Sequence, residues 1–489
     1  MQLINKKNPG WLGLLLITLL LVLLLRNRAM ASGARHFTEL EFPPLPEIQL
    51  PEYERYQLPN GMVVYLMEDH ELPLVSGSAI IRTGSRLEPP HQVGLAELTG
   101  TVMRSGGTLE HPAAELNEML EQRAAIVETS IDTTSGNAGF NTLSEDLPTV
   151  FNLFAEVLRS PAFAEEQLLL AKTQLQGQIA RRNDDPGDIA SREFSKLIYG
   201  NTSPYGRTVE YTTLANISRA DVIDFYQSYF RPDGIILGIV GDFESTKMKE
   251  LIAQTFADWQ PPSRTIIEEL VSPSQENLGG IFFVEQPQLT QSNILLGHLG
   301  GQLDNPDYPA LSVLNGVLNG FGGRLFKEVR SRQGLAYSVY GFWSPSYDYP
   351  GLFIAGGQTR SEATVAFVQS ILTEIDKLRT TPITPEELAY AQEKTLNSFV
   401  FNFEQPSQTL SRLMGYEYFG YPADFIFQYQ RGVKATTIED IQRVAQQYLN
   451  PEQIVTLVVG NANEIKPPLT HLNPDVKLVD ISIPEPQKS

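Results

Sequence analysis

Asp221–Phe243 reads DVIDFYQSYFRPDGIILGIVGDF, and Asp440–Ala462 reads DIQRVAQQYLNPEQIVTLVVGNA. The two align without a gap at an offset of 219. Asp221 pairs with Asp440, Tyr229 with Tyr448, Pro232 with Pro451, Val240 with Val459 and Gly241 with Gly460. Each stretch opens on an amphipathic helical period, breaks at a Pro-marked turn, and runs on as an unbroken apolar segment ended by glycine. That segment has the length and composition of a buried strand. The repeat predicts a duplicated domain. The flanks agree: residues 62–68 (MVVYLME) and 74–84 (LVSGSAIIRTG) predict two strands, as do 281–285 (IFFVE) and 292–301 (SNILLGHLGG) in the second half. Helical patterns at Ala113–Arg123 and Leu147–Leu158 stand against Ala310–Leu318 and Ala363–Leu378. Strands that must lie side by side, with helices in runs, predict an α+β fold rather than a doubly wound sheet. The expected layout is two homologous α/β-sandwich domains in tandem. They occupy 51–262 and 278–470, joined by a linker at 263–277 and followed by a tail at 471–489. A duplicated pair encloses a cleft at its interface.

Composition bounds the function. The 489 residues give a prior of about three units at roughly 150 residues each. Apolar residues make up 42% and charged residues 19%, which supports packed cores over disorder. Lys plus Arg total 37 against 57 for Asp plus Glu, a net charge of −20. A nucleic-acid binder needs a basic footprint, so that class is set aside. The chain has no cysteine, which excludes disulfides, iron–sulfur clusters, thiolate zinc sites and cysteine nucleophiles.

Residues 11–25 (WLGLLLITLLLVLLL) carry no charge and follow Lys6 and Lys7. Fifteen residues fall short of the roughly 20 of a spanning helix and sit at the top of the roughly 7–15 of a signal-peptide core. Ala29-Met30-Ala31 offers a cleavage pattern, although Arg26 and Arg28 precede it. Residues 1–31 therefore read as a signal peptide or an uncleaved membrane anchor, and 32–50 as a Pro-rich tether. Both readings place the body outside the cytoplasm, as a membrane-anchored or periplasmic protein.

In this order the motifs resemble the pitrilysin/insulinase family of inverted-motif zinc peptidases. The resemblance rests on Tyr56–Met67, Arg82–Gly94, Ser144–Ala164, Asn183–Pro186, Tyr229–Phe243 and Gly322–Val339 (GGRLFKEVRSRQGLAYSV), and covers about residues 50–465. It implies the processing-peptidase type of α+β unit, duplicated within the chain. Active members carry H-x-x-E-H on the first long helix, where two His on one face hold zinc and the Glu polarises a bound water. Here the aligned residues are Glu97, Gly100 and Thr101, and the downstream Glu aligns with Gln178. Glu97 reads as a capping or solvated helix-start residue, and Gly100 and Thr101 as packing relaxed where a metal once constrained the choice. No two of the six His lie three or four apart, so no zinc is expected in this chain.

The family's other element is an Arg and a Tyr seven residues apart, which bind the substrate backbone and stabilise the oxyanion. Arg330 and Tyr337 stand at that spacing. Gly320, Gly322 and Gly323 are a weak form of the glycine-rich loop that zinc-less members use to admit substrate. The resemblance thus implies the zinc-less half of a heterodimeric peptidase. A homologous partner with an intact H-x-x-E-H would carry the zinc and cut peptides. The alternative is a catalytically inactive structural or peptide-binding subunit, like the core subunits of respiratory complexes that resemble this family. A peptidase with relocated ligands is a third.

Overall fold

The computed structural model describes residues 50–261 and 272–485, the side chain of Val400 apart. The apolar run at 11–25 and the tether up to residue 49 lie outside the described residues.

Two six-stranded sheets organise the body. The first contains β1 (Glu54–Gln57), β2 (Val63–Glu68), β3 (Leu74–Ile81), β4 (Ile126–Ile131), β5 (Gly136–Leu143) and β6 (Ile235–Gly241), in the order β1-β2-β6-β3-β5-β4. The second contains β7 (Gly280–Glu285), β8 (Gln291–Leu299), β9 (Ala336–Ser344), β10 (Leu352–Arg360), β11 (Val455–Gly460) and β12 (Val476–Leu478), in the order β12-β7-β11-β8-β10-β9. The duplication covers five strands, β2-β6-β3-β5-β4 matching β7-β11-β8-β10-β9, while the outer strands differ, β1 antiparallel to β2 and β12 parallel to β7. β6 and β11, the strands of the repeat, each insert parallel to one neighbour and antiparallel to the other. Their helices, Arg219–Tyr229 and Ile438–Tyr448, start in the same way. The paired aspartates close capping boxes, Asp221 with Ser218 and Asp440 with Thr437, satisfying backbone donors at each helix start.

The unbroken apolar runs have a physical cause. In β2, Val64 and Leu66 enter the first core while Tyr65 and Met67 face the other way and are also buried. In β11, Val458 faces the second core, and Val455, Leu457 and Val459 the opposite side. Central strands buried on both faces need cover on both. The helices of each half cover one face. The other face is covered by a helix from the opposite half. Helix Pro186–Tyr199 sets Ile189, Phe194 and Ile198 against Phe282, Leu295 and Leu457. Helix Pro406–Phe419 sets Leu410, Leu413 and Met414 against Met67, Ile236 and Val240. Each fully buried apolar side chain contributes about 1.5–3 kcal/mol. This exchange therefore joins the halves as firmly as a core. The Asn183–Pro186 motif is its start signal: Asp185 caps the helix, accepting from Gly187 N at 2.7 Å and Asp188 N at 3.0 Å, and Pro186 takes the first helical position.

The expected tail at 471–489 needs correction. Its residues 476–478 form β12, parallel to β7, because the outer side of β7 is otherwise an open edge. Beyond it Asn183 donates to Ile481 O at 2.7 Å, and Ile483 packs on the first core. The end of the expected linker is likewise held, with Asn277 donating to Leu197 O at 2.8 Å. Among the described residues no helix is long and apolar enough to cross a membrane.

Candidate functional site

Helix Leu95–Ser105 packs on β4 and on helix Glu165–Arg181. It carries the three motif positions of the first half. Glu97 and Thr101 are exposed, and Gln178 is exposed on the neighbouring helix. The mass of protein around Glu97 strips hydration from its carboxyl and pushes it above the usual range. Gly100 is different. It is buried against β4, where an added Cβ would lie 2.7 Å from Ile131 N and 2.8 Å from the Ser130 carbonyl carbon. Thr129 Oγ1 donates to Gly100 O at 2.6 Å across the same contact. The expectation of relaxed packing at Gly100 is therefore corrected: only a residue without a side chain lets the helix sit this close to the strand.

The start of this helix is held by a residue that sequence reasoning passed over. Glu88 is buried, and its Oε2 accepts from Ala96 N at 2.9 Å and Gly94 N at 3.2 Å. Arg207 stands 3.7 Å from its other oxygen and donates to the Ser85 and Glu88 carbonyls at 2.6 and 2.9 Å. Burial pushes the Glu88 carboxyl up, opposed by these donors. Glu97 has no capping role; a carboxylate nine residues earlier does that work. Elsewhere, Glu110, His111 and Glu156 bring ligand atoms within 4.8 Å of one another. That group is closed on itself, with His111 Nδ1 2.7 Å from Glu156 and Thr108 donating to the same carboxylate at 3.0 Å.

In the second half the Arg–Tyr element is assembled. Arg330 lies on a π-helical segment, Phe326–Arg332, a rare geometry that is frequent at functional sites. Tyr337 lies on β9, the edge of its sheet. Gln358 of β10 faces Ser338 while Thr359 faces Ala336, so Tyr337 is the extra residue of a bulge. A bulge re-aims a side chain, and Tyr337 is 84% exposed. The Arg330 guanidinium carbon lies 4.8 Å from the centre of the Tyr337 ring and 4.6 Å from that of Phe326. Phe326 in turn meets exposed Phe321 edge-on at 5.0 Å. Among the described residues Arg330 has no ion-pair partner, so its N–H donors are left for a ligand.

The glycines serve this stack by close packing. Gly320 has φ +83°, and a Cβ on Gly322 would come within 2.6 Å of the Tyr390 ring. Gly322 N donates to Tyr390 Oη at 3.0 Å. The turn is thus pressed against helix Pro385–Val400 and presents Phe321 outward. Arg324 fixes the entry to the π-segment through two bonds to Glu387, at 2.7 and 2.9 Å. Phe326 was within reach of sequence reading, since it lies four residues before Arg330 on a helix. Tyr390, which comes from a distant helix, was not.

A family model described as Insulinase (Peptidase family M16) matches residues 63–213, and one described as Peptidase M16 inactive domain matches residues 216–395. The chain belongs to the M16 peptidase family. It is similar to a Bacillus subtilis protein named "Uncharacterized zinc protease YmxG", 25% identical over 416 residues that cover 84% of this chain and 99% of that one. It is also similar to a Helicobacter pylori protein named "Non-peptidase homolog YmxG", 23% identical over 406 residues, 82% of this chain and 92% of that one. In fold it matches a crystal structure described as a peptidase M16 inactive domain from Pseudomonas fluorescens. That match is 24% identical with a TM-score of 0.77, and covers 85% of this chain and all of the other.

Set against the M16 pattern, the first-half wall does not fit zinc. Two imidazoles and two carboxylates are replaced by one carboxylate, a hydroxyl, an amide and a glycine whose missing side chain has no room. A hydroxyl and an amide are poor zinc ligands beside imidazole or thiolate. The residue aligned with the M16 base, Gly100, has no room for a carboxylate side chain. Arg330 and Tyr337 carry donors suited to a carbonyl oxygen, and neither can supply a hydrolytic water.

Proposed function

We propose that this M16 protein is the zinc-less subunit of a heterodimeric metallopeptidase. Arg330 and Tyr337 would reach into the active site of a homologous partner carrying H-x-x-E-H. The observation that carries this reading is the contrast between the halves. The base position is closed at Gly100, while among the described residues Arg330 has no ion-pair partner and Tyr337 is turned outward by a bulge. The partner supplies zinc, both His, both Glu and the water; this chain binds the peptide backbone and stabilises the oxyanion. Residues 11–25 hold the pair at a membrane, on its exoplasmic side.

The test starts with co-purification. A carboxy-terminally tagged chain, drawn from gently solubilised membranes, brings down a one-to-one partner with the intact motif, and the pair cuts peptides. Arg330→Ala or Tyr337→Phe then lowers turnover about 10²–10³-fold, the usual effect of removing an oxyanion donor. The zinc content of the partner stays the same. Unchanged turnover in both variants removes the role. A chain that arrives alone supports the structural or peptide-binding reading, which the close stacking of Arg330 between two rings of its own chain favours.

A further inference from the structure

Four helices of the second half, Tyr308–Leu318, Pro385–Val400, Pro406–Phe419 and Phe425–Ala435, surround a cavity of about 500 Å³. Its walls mix aromatic rings, Tyr308, Tyr416, Phe425 and Tyr429 among them, with small polar side chains. Two cations, Lys394 and Arg412, also line it. Among the described residues neither has a carboxylate partner. The Arg412 Nε is buried without a hydrogen-bond partner, and its guanidinium carbon stands 5.6 Å from the centre of the Phe403 ring. Burial pushes the Lys394 ammonium down. It pushes the Tyr416 hydroxyl up to about 12, and those of Tyr308 and Tyr429 upward as well, so all three stay protonated and can donate.

Two cations with no carboxylate partner among the described residues, in a half-buried pocket, are costly without an anion. The guanidinium fork matches a carboxylate in shape, and flat rings match an aromatic body. The volume suits a small molecule or the last residue or two of a peptide. We propose that this cavity binds an aromatic carboxylate, its acid group between Lys394 and Arg412 and its ring among the tyrosines. The site is separate from the Arg330–Tyr337 pair, although Lys394 Nζ also borders the glycine turn, 2.8 Å from where a Cβ on Gly320 would sit.

The test is calorimetric titration of the purified full-length chain with N-acetyl-phenylalanine and with its uncharged amide. The acid binds saturably, and the amide binds at least about tenfold more weakly. Lys394→Gln and Arg412→Gln each weaken the acid at least about tenfold and leave the amide within about twofold. Ser398→Trp, which fills the mouth from a solvent-exposed position, removes binding of the acid. A hexapeptide ending in phenylalanine separates the two sources of such a carboxylate. Tight binding of the free-acid peptide, lost on amidation, assigns a peptide end; binding of the small acid alone assigns a free metabolite. Equal affinity for acid and amide overturns the proposal. So does unchanged affinity in Lys394→Gln with a wild-type circular dichroism spectrum, or no saturable binding up to about 10 mM acid.

Discussion

Gly100→Ala and Gly177→Ala make the same change on two packed helices and are expected to act in opposite directions. Replacing an exposed mid-helix glycine by alanine gains about 1 kcal/mol, because less backbone freedom is lost on folding. Nothing lies within 4 Å of a Cβ at Gly177, so that substitution realises the gain. At Gly100 the Cβ would meet Ile131 N at 2.7 Å, the Ser130 carbonyl carbon at 2.8 Å and Ser130 Cα at 3.0 Å. These are backbone atoms, against a comfortable separation of about 3.5–4.0 Å. Strand β4 must therefore retreat by most of an ångström. Overpacking of this kind costs about 1–3 kcal/mol, and the strained Thr129–Gly100 bond adds about 1 kcal/mol. The expected net loss at Gly100 is about 2 kcal/mol, a separation of about 3 kcal/mol between the variants. Urea unfolding followed by tryptophan fluorescence measures it, since Trp259 packs on the first core. At constant slope the midpoint moves down for Gly100→Ala and up for Gly177→Ala. An upward shift at both positions refutes the close contact, and with it the claim that the base position is closed.

Three further outcomes are expected. The triple variant Glu97→His, Gly100→Glu, Thr101→His restores the motif on paper, yet metal analysis of the purified chain finds no stoichiometric zinc, because residue 100 has no room for a side chain. Phe194→Ala, which empties a site on the second sheet, costs about 3–5 kcal/mol in the urea midpoint and raises hydrogen exchange in β8 and β11, in the half that does not contain residue 194. The hydrogen bond that protonated His111 donates to the Glu156 carboxylate raises the His111 pKa above its ordinary value. A raised folded-state pKa means that the pairing stabilises fully below about pH 6.5 and fades as pH rises through the higher folded value. The deficit of His111→Ala is therefore larger at pH 6 than at pH 9, and equal deficits at both would remove the ion pair from the argument.

Much of the fold was legible because its signals are local. The strand of the repeat is an unbroken apolar run, which already says that both its faces are buried. The glycine that ends it and the proline before it mark its limits. The Ser218–Asp221 and Thr437–Asp440 caps are spelled out at a spacing of three. The loss of the zinc ligands is equally a matter of residue type, since no arrangement makes Gly100 or Thr101 an imidazole. Arg330 and Tyr337 came from the resemblance to the family, whose Arg and Tyr stand at the same seven-residue spacing.

What lay beyond the sequence is everything that depends on which distant surface an element meets. Helix Pro186–Tyr199 shows an apolar stripe, but a stripe does not name the sheet it covers, and the chain folds it onto the opposite half. The residues after 471 look like a tail until β7 presents an open edge. Gly100 reads as slack, and becomes a tight contact only once β4, thirty residues later, is laid against it. Glu88 caps a helix it does not belong to, and Lys394 and Arg412 share a cavity only because four helices close around them. Residue type and short-range period set which elements form and which chemistry is possible. Apolar faces are interchangeable until geometry pairs them, so the partners of each face, and the sites made between them, belong to the tertiary structure.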